Sequence, residues 1–136
     1  MSILRALQDY LAGYNGMKPM RILTDQVEES ESYAVAPTGN MAVTEDILGN
    51  RTYENDYVFL TRECTADEVD RQDNYDFLEG LYAWMEDAPP PDLPGQYVAE
   101  KITPSNVMLI DVGENGTGIY QVQVKLRISR RRNDYA

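Results

Sequence analysis

Carboxylates are the residues of this chain with the most obvious chemistry. Glu45 with Asp46, and Glu54 with Asp56, stand close enough in sequence to divide acid and base roles between them. Among 23 acidic residues, though, such neighbours are expected by coincidence, and coincidence is the preferred reading. A longer acidic run, residues 67–79, offers the oxygen ligands that calcium uses, but it lacks the alternating ligands and central glycine of an EF-hand loop. A solvated helix face accounts for it, with adventitious divalent binding left open. Cys64 stands at a helix entrance, the kind of position a reactive cysteine occupies, but without histidine a buried or semi-buried structural cysteine is the preferred reading. Histidine is absent from the whole chain, which removes the usual partner of a nucleophile, the usual general base and the commonest transition-metal ligand. Gly113, Gly116 and Gly118 have the density of a phosphate loop, yet they lead into a strand and no Gly-Lys-Ser/Thr follows. These residues therefore lead to an expectation of no catalytic centre, no cofactor and no dedicated metal site.

The elements that would carry any site follow from the apolar spacing. Ser2 caps a helix whose Ile3, Leu4, Leu7 and Leu11 recur at helical intervals, ended by Gly13, Gly16 and Pro19. Residues 21–24 read as a short strand and residues 32–36 as a better one, closed by the turn-rich Pro37-Thr38-Gly39-Asn40. Residues 41–56 are poorly patterned, with Gly49-Asn50 as a turn; an irregular hairpin and a long loop are equally allowed. Residues 57–63 are β-rich and apolar on both faces, as an interior strand would be. Thr65-Ala-Asp-Glu68 fits a capping box for a helix to about Glu86, with Phe77, Leu78, Leu81, Tyr82, Trp84 and Met85 as its apolar stripe. The prolines at 89, 90, 91 and 94 form a stiff connector. Residues 97–103 and 107–112 read as strands, and residues 114–118 as a hairpin loop. The last strand is the clearest: Tyr120, Val122, Val124, Leu126 and Ile128 alternate with Gln121, Gln123, Lys125, Arg127 and Ser129. The order predicts an α+β domain over residues 1–136, a mostly antiparallel twisted sheet with two helices packed on one face.

Composition narrows the setting. The chain has 136 residues, 43% of them hydrophobic, with no 20-residue apolar run, so one small soluble domain and no membrane span are expected. A single cysteine excludes an intramolecular disulfide, and the opening residues lack a secretory pattern, which points to the cytoplasm or a particle assembled there. The net charge of −11 is uneven: from residue 119 onward five basic residues against Asp134 make +4, leaving −15 in the body. Such a body repels DNA and anionic membranes. The basic end reads as a solvated strand face or a subunit contact rather than a nucleic-acid patch.

Four strings, in this order and spacing, resemble the tail terminator (minor tail, tail completion) proteins of bacteriophages with long non-contractile tails. They are Glu31-Ser-Tyr-Ala-Val-Ala-Pro-Thr-Gly39, Tyr57-Val-Phe-Leu-Thr-Arg-Glu63, Asn74-Tyr-Asp-Phe-Leu-Glu-Gly-Leu-Tyr-Ala-Trp-Met85 and Tyr120-Gln-Val-Gln-Val-Lys-Leu-Arg-Ile-Ser-Arg130. The resemblance implies a structural virion or prophage protein and no enzyme. It would form a homo-oligomeric ring, usually a hexamer, that caps the tail tube, ends its polymerisation and provides the head–tail joining surface. The implied partners are copies of the chain, the tail tube protein and a head-completion or connector protein. DNA would pass the lumen without specific binding. The implied location is the virion tail or neck, assembled in the bacterial host cytoplasm. Met41, Val43, Ile47 and Leu48 are the candidate subunit or tube contacts, being apolar residues in a poorly patterned segment. Lys125, Arg127 and Arg130, placed together on the polar face of the last strand, are the candidates for pairing with acids of a neighbouring subunit. The alternatives are another head–tail connector or completion protein, a soluble acidic module binding a basic partner through residues 67–79, and an enzyme using carboxylates and a divalent ion.

Overall fold

Strict alternation in the last strand orients the whole sheet. A computed structural model describes residues 1–113 and 115–130, with the side chains of residues 40–42 outside the description. In it Tyr120, Val122, Val124, Leu126 and Ile128 are sealed from solvent, while Gln123, Lys125 and Arg127 between them are exposed. The elements run α1 (Ile3–Ala12), β1 (Ile22–Thr24), β2 (Ser32–Glu45), β3 (Arg51–Cys64), α2 (Glu68–Asp87), β4 (Tyr97–Val112) and β5 (Thr117–Arg130). They build a five-stranded sheet in the order β1-β2-β3-β5-β4, antiparallel except for the β1–β2 pair. Leu7 and Leu11 of α1 and Leu78, Leu81 and Met85 of α2 share one core with Tyr33, Phe59 and Tyr120, so both helices cover the same sheet face. The fold is α+β.

Residue chemistry explains most boundaries. The Ser2 hydroxyl accepts the Arg5 amide at 3.1 Å and caps α1, which closes at Gly13. The start of α2 differs from the expected capping box. Its cap is Asp67, whose carboxylate accepts the Asp70 amide at 2.9 Å. Thr65 is held elsewhere: its amide donates to Gly116 O at 2.8 Å, and its carbonyl accepts from Arg71 Nη1 at 2.9 Å. The first bond ties it to the β4–β5 connection and the second to α2 itself, and the next short acceptor, Asp67, begins the helix.

The expected turn at residues 37–40 is also corrected, because β2 continues through it to Glu45. The turn-forming residues build bulges instead: register shifts fall between Pro37 and Gly39 and between Asn40 and Ala42. Gly39 has φ +148°, a backbone conformation open to glycine and hardly to other residues. Pro37 is tolerated for a positional reason. Val35 turns its carbonyl toward β1's side, accepting from Asp25, and two residues on Pro37 turns the same way, where β1 has ended. A missing donor there breaks no ladder bond. Of the two forms allowed for residues 41–56, the structure has the hairpin, with Met41 in the bulge between Asn40 and Ala42. Residues 97–103 and 107–112 belong to one strand, β4, with shifts near residues 100, 106 and 110; Asn106 sits at φ +52° inside the second of these.

The buried polar groups fix where α2 lies. Asn74 donates its amide to Cys64 O at 2.8 Å and to the hydroxyl of the fully buried Tyr120 at 3.2 Å. Asn74→Ala takes the donor from the buried Tyr120 hydroxyl and the part-buried Cys64 carbonyl, and should lower stability by about 1–3 kcal/mol in urea unfolding. Tyr120→Phe removes one acceptor together with its need for a partner and should cost less in the same measurement.

Candidate functional site

The tip of the β2–β3 hairpin is the most exposed apolar feature among the described residues. Val43 is 56%, Leu48 66% and Ile47 100% exposed. The turn that carries them is built on Asp46. Its carboxylate Oδ1 accepts the Leu48 amide at 2.9 Å and the Asn50 amide at 3.0 Å, and Oδ2 accepts the Asn50 side-chain amide at 3.1 Å. The Asp46 amide donates to Asn50 O, and the Gly49 amide returns a bond to Asp46 O, with Gly49 at φ +85°. The Asn50 amide above all, then the Asn50 side chain and the Leu48 and Gly49 amides, hold the Asp46 carboxyl below its usual range against the opposing effect of desolvation. A largely exposed turn is thereby braced by hydrogen bonds, presenting two aliphatic side chains to solvent.

Of the candidate contacts, Val43, Ile47 and Leu48 are thus gathered at one end of the sheet. Met41 is a β2 residue without a β3 partner at the second bulge; its side chain lies outside the described residues. The basic candidates divide. Lys125 and Arg127 are on the open face of β5, away from the helices, but Arg130 falls two residues after Ile128 and so belongs to the helix-bearing face. Strand alternation forces that correction to the grouping of all three on the polar face. Arg130 lies 5.8 Å over the Tyr97 ring, a cation–π distance. Arg127 has an acid of its own chain, Glu100, at 3.4 Å, and Glu54 is its register partner on β3; Lys125 is registered opposite Asp56. The strand pairing therefore supplies local counter-charge that linear sequence could not reveal. Arg131 and Arg132 lie outside the described residues.

Several of the other chemical candidates have partners within the chain. Glu45 pairs with Arg51 at 3.6 Å. The Cys64 thiol donates to Asp70 Oδ2 at 3.3 Å. Trp84 packs on Tyr10 with ring centroids 4.9 Å apart. The glycines at 113, 116 and 118 serve the β4–β5 connection, in which Glu114 lies outside the described residues. Among the described residues no group of three or more Cys, Asp and Glu is arranged to hold a metal ion, and no helix is long and apolar enough to cross a membrane.

One buried carboxylate escaped the sequence reading. Glu63 is 5% exposed, accepts from Thr61 Oγ1 at 3.2 Å, and has Lys18 Nζ at 3.9 Å, while Lys18 reaches Glu31 at 3.1 Å. Burial pushes its carboxyl up, more than the Lys18 charge and the Thr61 hydroxyl pull it down. Period-two alternation after Tyr57, Phe59 and Thr61 was the available signal, since it assigns Glu63 to the core face. Neither a protein-family model nor a curated protein matches this chain.

Two measurements test these electrostatics. Glu63 binds its proton more tightly folded than unfolded, so its contribution to stability is complete below the unfolded glutamate pKa and is lost as pH rises through the higher folded value. Glu63→Gln should then raise the unfolding midpoint at pH 7, and the gain should vanish by about pH 4. For Asp46 the sign is opposite. Its turn bonds persist above the unfolded pKa and fail as pH falls through the depressed folded value, so amide-exchange protection at Leu48 and Asn50 should disappear with acid, and at neutral pH in Asp46→Ala.

Proposed function

We propose that this chain is a structural assembly protein of a long-tailed bacteriophage, a homo-oligomeric ring that closes the tail tube and offers the surface joined by the head. The observation that carries this reading is the hairpin tip, where Ile47 and Leu48 stand exposed on a turn whose shape is fixed by Asp46. A free aliphatic pair on a mobile loop loses much of its binding energy to ordering; a pair already ordered does not. The four sequence strings that resemble tail terminators cover most of β2, the end of β3, the body of α2 and nearly all of β5. In this reading the partners are copies of the chain, the tail tube protein and a head-completion or connector protein, DNA passes without specific contact, and the chain carries out no catalysis. A role as another head–tail connector or completion protein fits the same surfaces.

One observation favours a second reading. The exposed face of α2 includes Asp73, Asp76 and Glu79, which suits a soluble module that binds a basic partner. Light scattering with negative-stain electron microscopy separates the two. Closed rings of defined mass, usually six subunits in the proteins it resembles, are the expected result. Ile47→Asp with Leu48→Asp should abolish them while circular dichroism and the unfolding midpoint stay unchanged, because both side chains are exposed. A chain that stays monomeric at every concentration and binds a basic protein one-to-one would replace the ring reading with the binding module.

A further inference from the structure

The chain contains two Asn-Gly steps, Asn15-Gly16 and Asn115-Gly116, and all four residues are exposed. Such a step carries its own nucleophile: the glycine backbone nitrogen reaches the asparagine side-chain carbonyl carbon, and no Cβ on the glycine obstructs it. Their surroundings differ. Asn15 makes no side-chain hydrogen bond among the described residues, and the Tyr14 ring packs on the Gly16 backbone, 2.6 Å from where a Cβ would stand. Asn115 is held in place within the β4–β5 connection. Its Oδ1 accepts from the Thr117 amide at 3.3 Å and from the Thr117 hydroxyl at 2.6 Å, and its Nδ2 donates to Glu29 O at 3.3 Å. Arg62 Nη1 donates to Thr117 Oγ1 at 3.2 Å, which leaves the hydroxyl proton directed at Asn115. Gly116, at φ +77°, has open space beside it; its amide has no hydrogen-bond partner among the described residues, and its carbonyl is pinned by the Thr65 amide at 2.8 Å.

The bond from Oδ1 to the amide two residues on folds the Asn115 side chain back toward the intervening Gly116 nitrogen. Two donors then face the oxygen on which negative charge develops when the carbonyl carbon is attacked. We infer that Asn115 is a self-modification site, at which Gly116 supplies the nucleophile and Thr117 holds the developing oxyanion. Solvent base takes the Gly116 amide proton as its nitrogen bonds to Asn115 Cγ; the Cγ–Nδ2 bond then breaks and ammonia leaves, giving a succinimide. Water opens that ring at either carbonyl and yields aspartate or isoaspartate at position 115. Either product removes the donor to Glu29 O and adds a negative charge beside the acidic segment that holds Glu28, Glu29 and Glu31. Isoaspartate also lengthens the backbone just before Gly116, whose carbonyl ties down Thr65, so a modified copy loosens where the start of α2 meets the β4–β5 connection. The step needs no partner chain and stands apart from the assembly reading.

Peptide mapping by mass spectrometry tests the site, with Asn15 as the reference inside the same chain. The purified full chain is incubated in mildly alkaline buffer, sampled over days and digested, and the acid and isoaspartyl forms at both positions are followed. Asn115 should convert faster than Asn15 by roughly tenfold, less than the loss of an oxyanion donor costs in an enclosed enzyme site, because water stands in for part of it here. Thr117→Val should slow Asn115 by a similar factor without changing Asn15, and Thr117→Ser, which keeps the hydroxyl, should convert as the parent does. In urea the two positions should convert at like rates, since the advantage belongs to the fold; a variant that fails to fold is recognised by the same equality. Asn115 converting no faster than Asn15 in the folded chain, or a folded Thr117→Val chain with an unchanged Asn115 rate, overturns the inference.

Discussion

The unbroken ladder between β3 and β5 is the constraint on which the rest of the structure depends. Fourteen residue pairs, from Arg51 with Arg130 to Cys64 with Thr117, run without a register shift. Because side chains alternate strictly, that register commits the odd residues of β3 and the even residues of β5 to the helix-bearing face along their whole length. A one-residue slip of β5 against β3 would turn Tyr120 and Leu126 to solvent and forfeit roughly 1.5–3 kcal/mol for each large apolar side chain. The neighbouring strands then absorb every irregularity. β2 bulges at Pro37–Gly39 and Asn40–Ala42, and β4 shifts three times, while the central pair stays regular.

Rigid centre and adaptable flanks explain how a fixed tip arises far from the core. The ladder carries the sheet past the last turn of α2, and the Asp46 turn closes the hairpin where no packing supports it. Hydrogen bonding replaces burial as the ordering force at that point. The apolar side chains left over are those a folding argument cannot explain, since nothing in their own chain covers them. The same separation appears in the charges. On the open face, cross-strand register sets Arg127 beside Glu100 and Glu54 and Lys125 opposite Asp56, which neutralises the middle of the sheet. On α2 seven acidic residues stand against Arg71 alone. Copies of so acidic a chain repel one another at long range, and salt screens that repulsion while leaving an apolar contact intact.

Periodicity carried a large part of the fold in the sequence. The ten-residue alternation of β5, the Ser2 cap, the helical stripe of α2 and the composition suffice for an α+β domain with two helices on one sheet face, because each depends on residues close in the chain. Local reasoning failed where a distant group decided the outcome. The capping box at Thr65 fails because Gly116, 51 residues on in sequence, takes the amide that Glu68 would have satisfied. Residues 37–40 look like a turn because the same proline and glycine that reverse a chain also build bulges, and only the β3 register distinguishes the two.

The candidate surface divides along the same line. Sequence by itself determined which residues were apolar in a weakly patterned segment, that no histidine was present, and that the basic residues gather toward the C-terminus. Tertiary structure decided that Val43, Ile47 and Leu48 crown a hydrogen-bonded turn, that Arg127 already has an acid beside it, that Arg130 belongs to the other face, and that Tyr10, Trp84 and three prolines line an open groove. The physical reason is range: hydrophobic period and capping chemistry act over a few residues, whereas strand register and the meeting of two helices are set by burial of the whole sheet face.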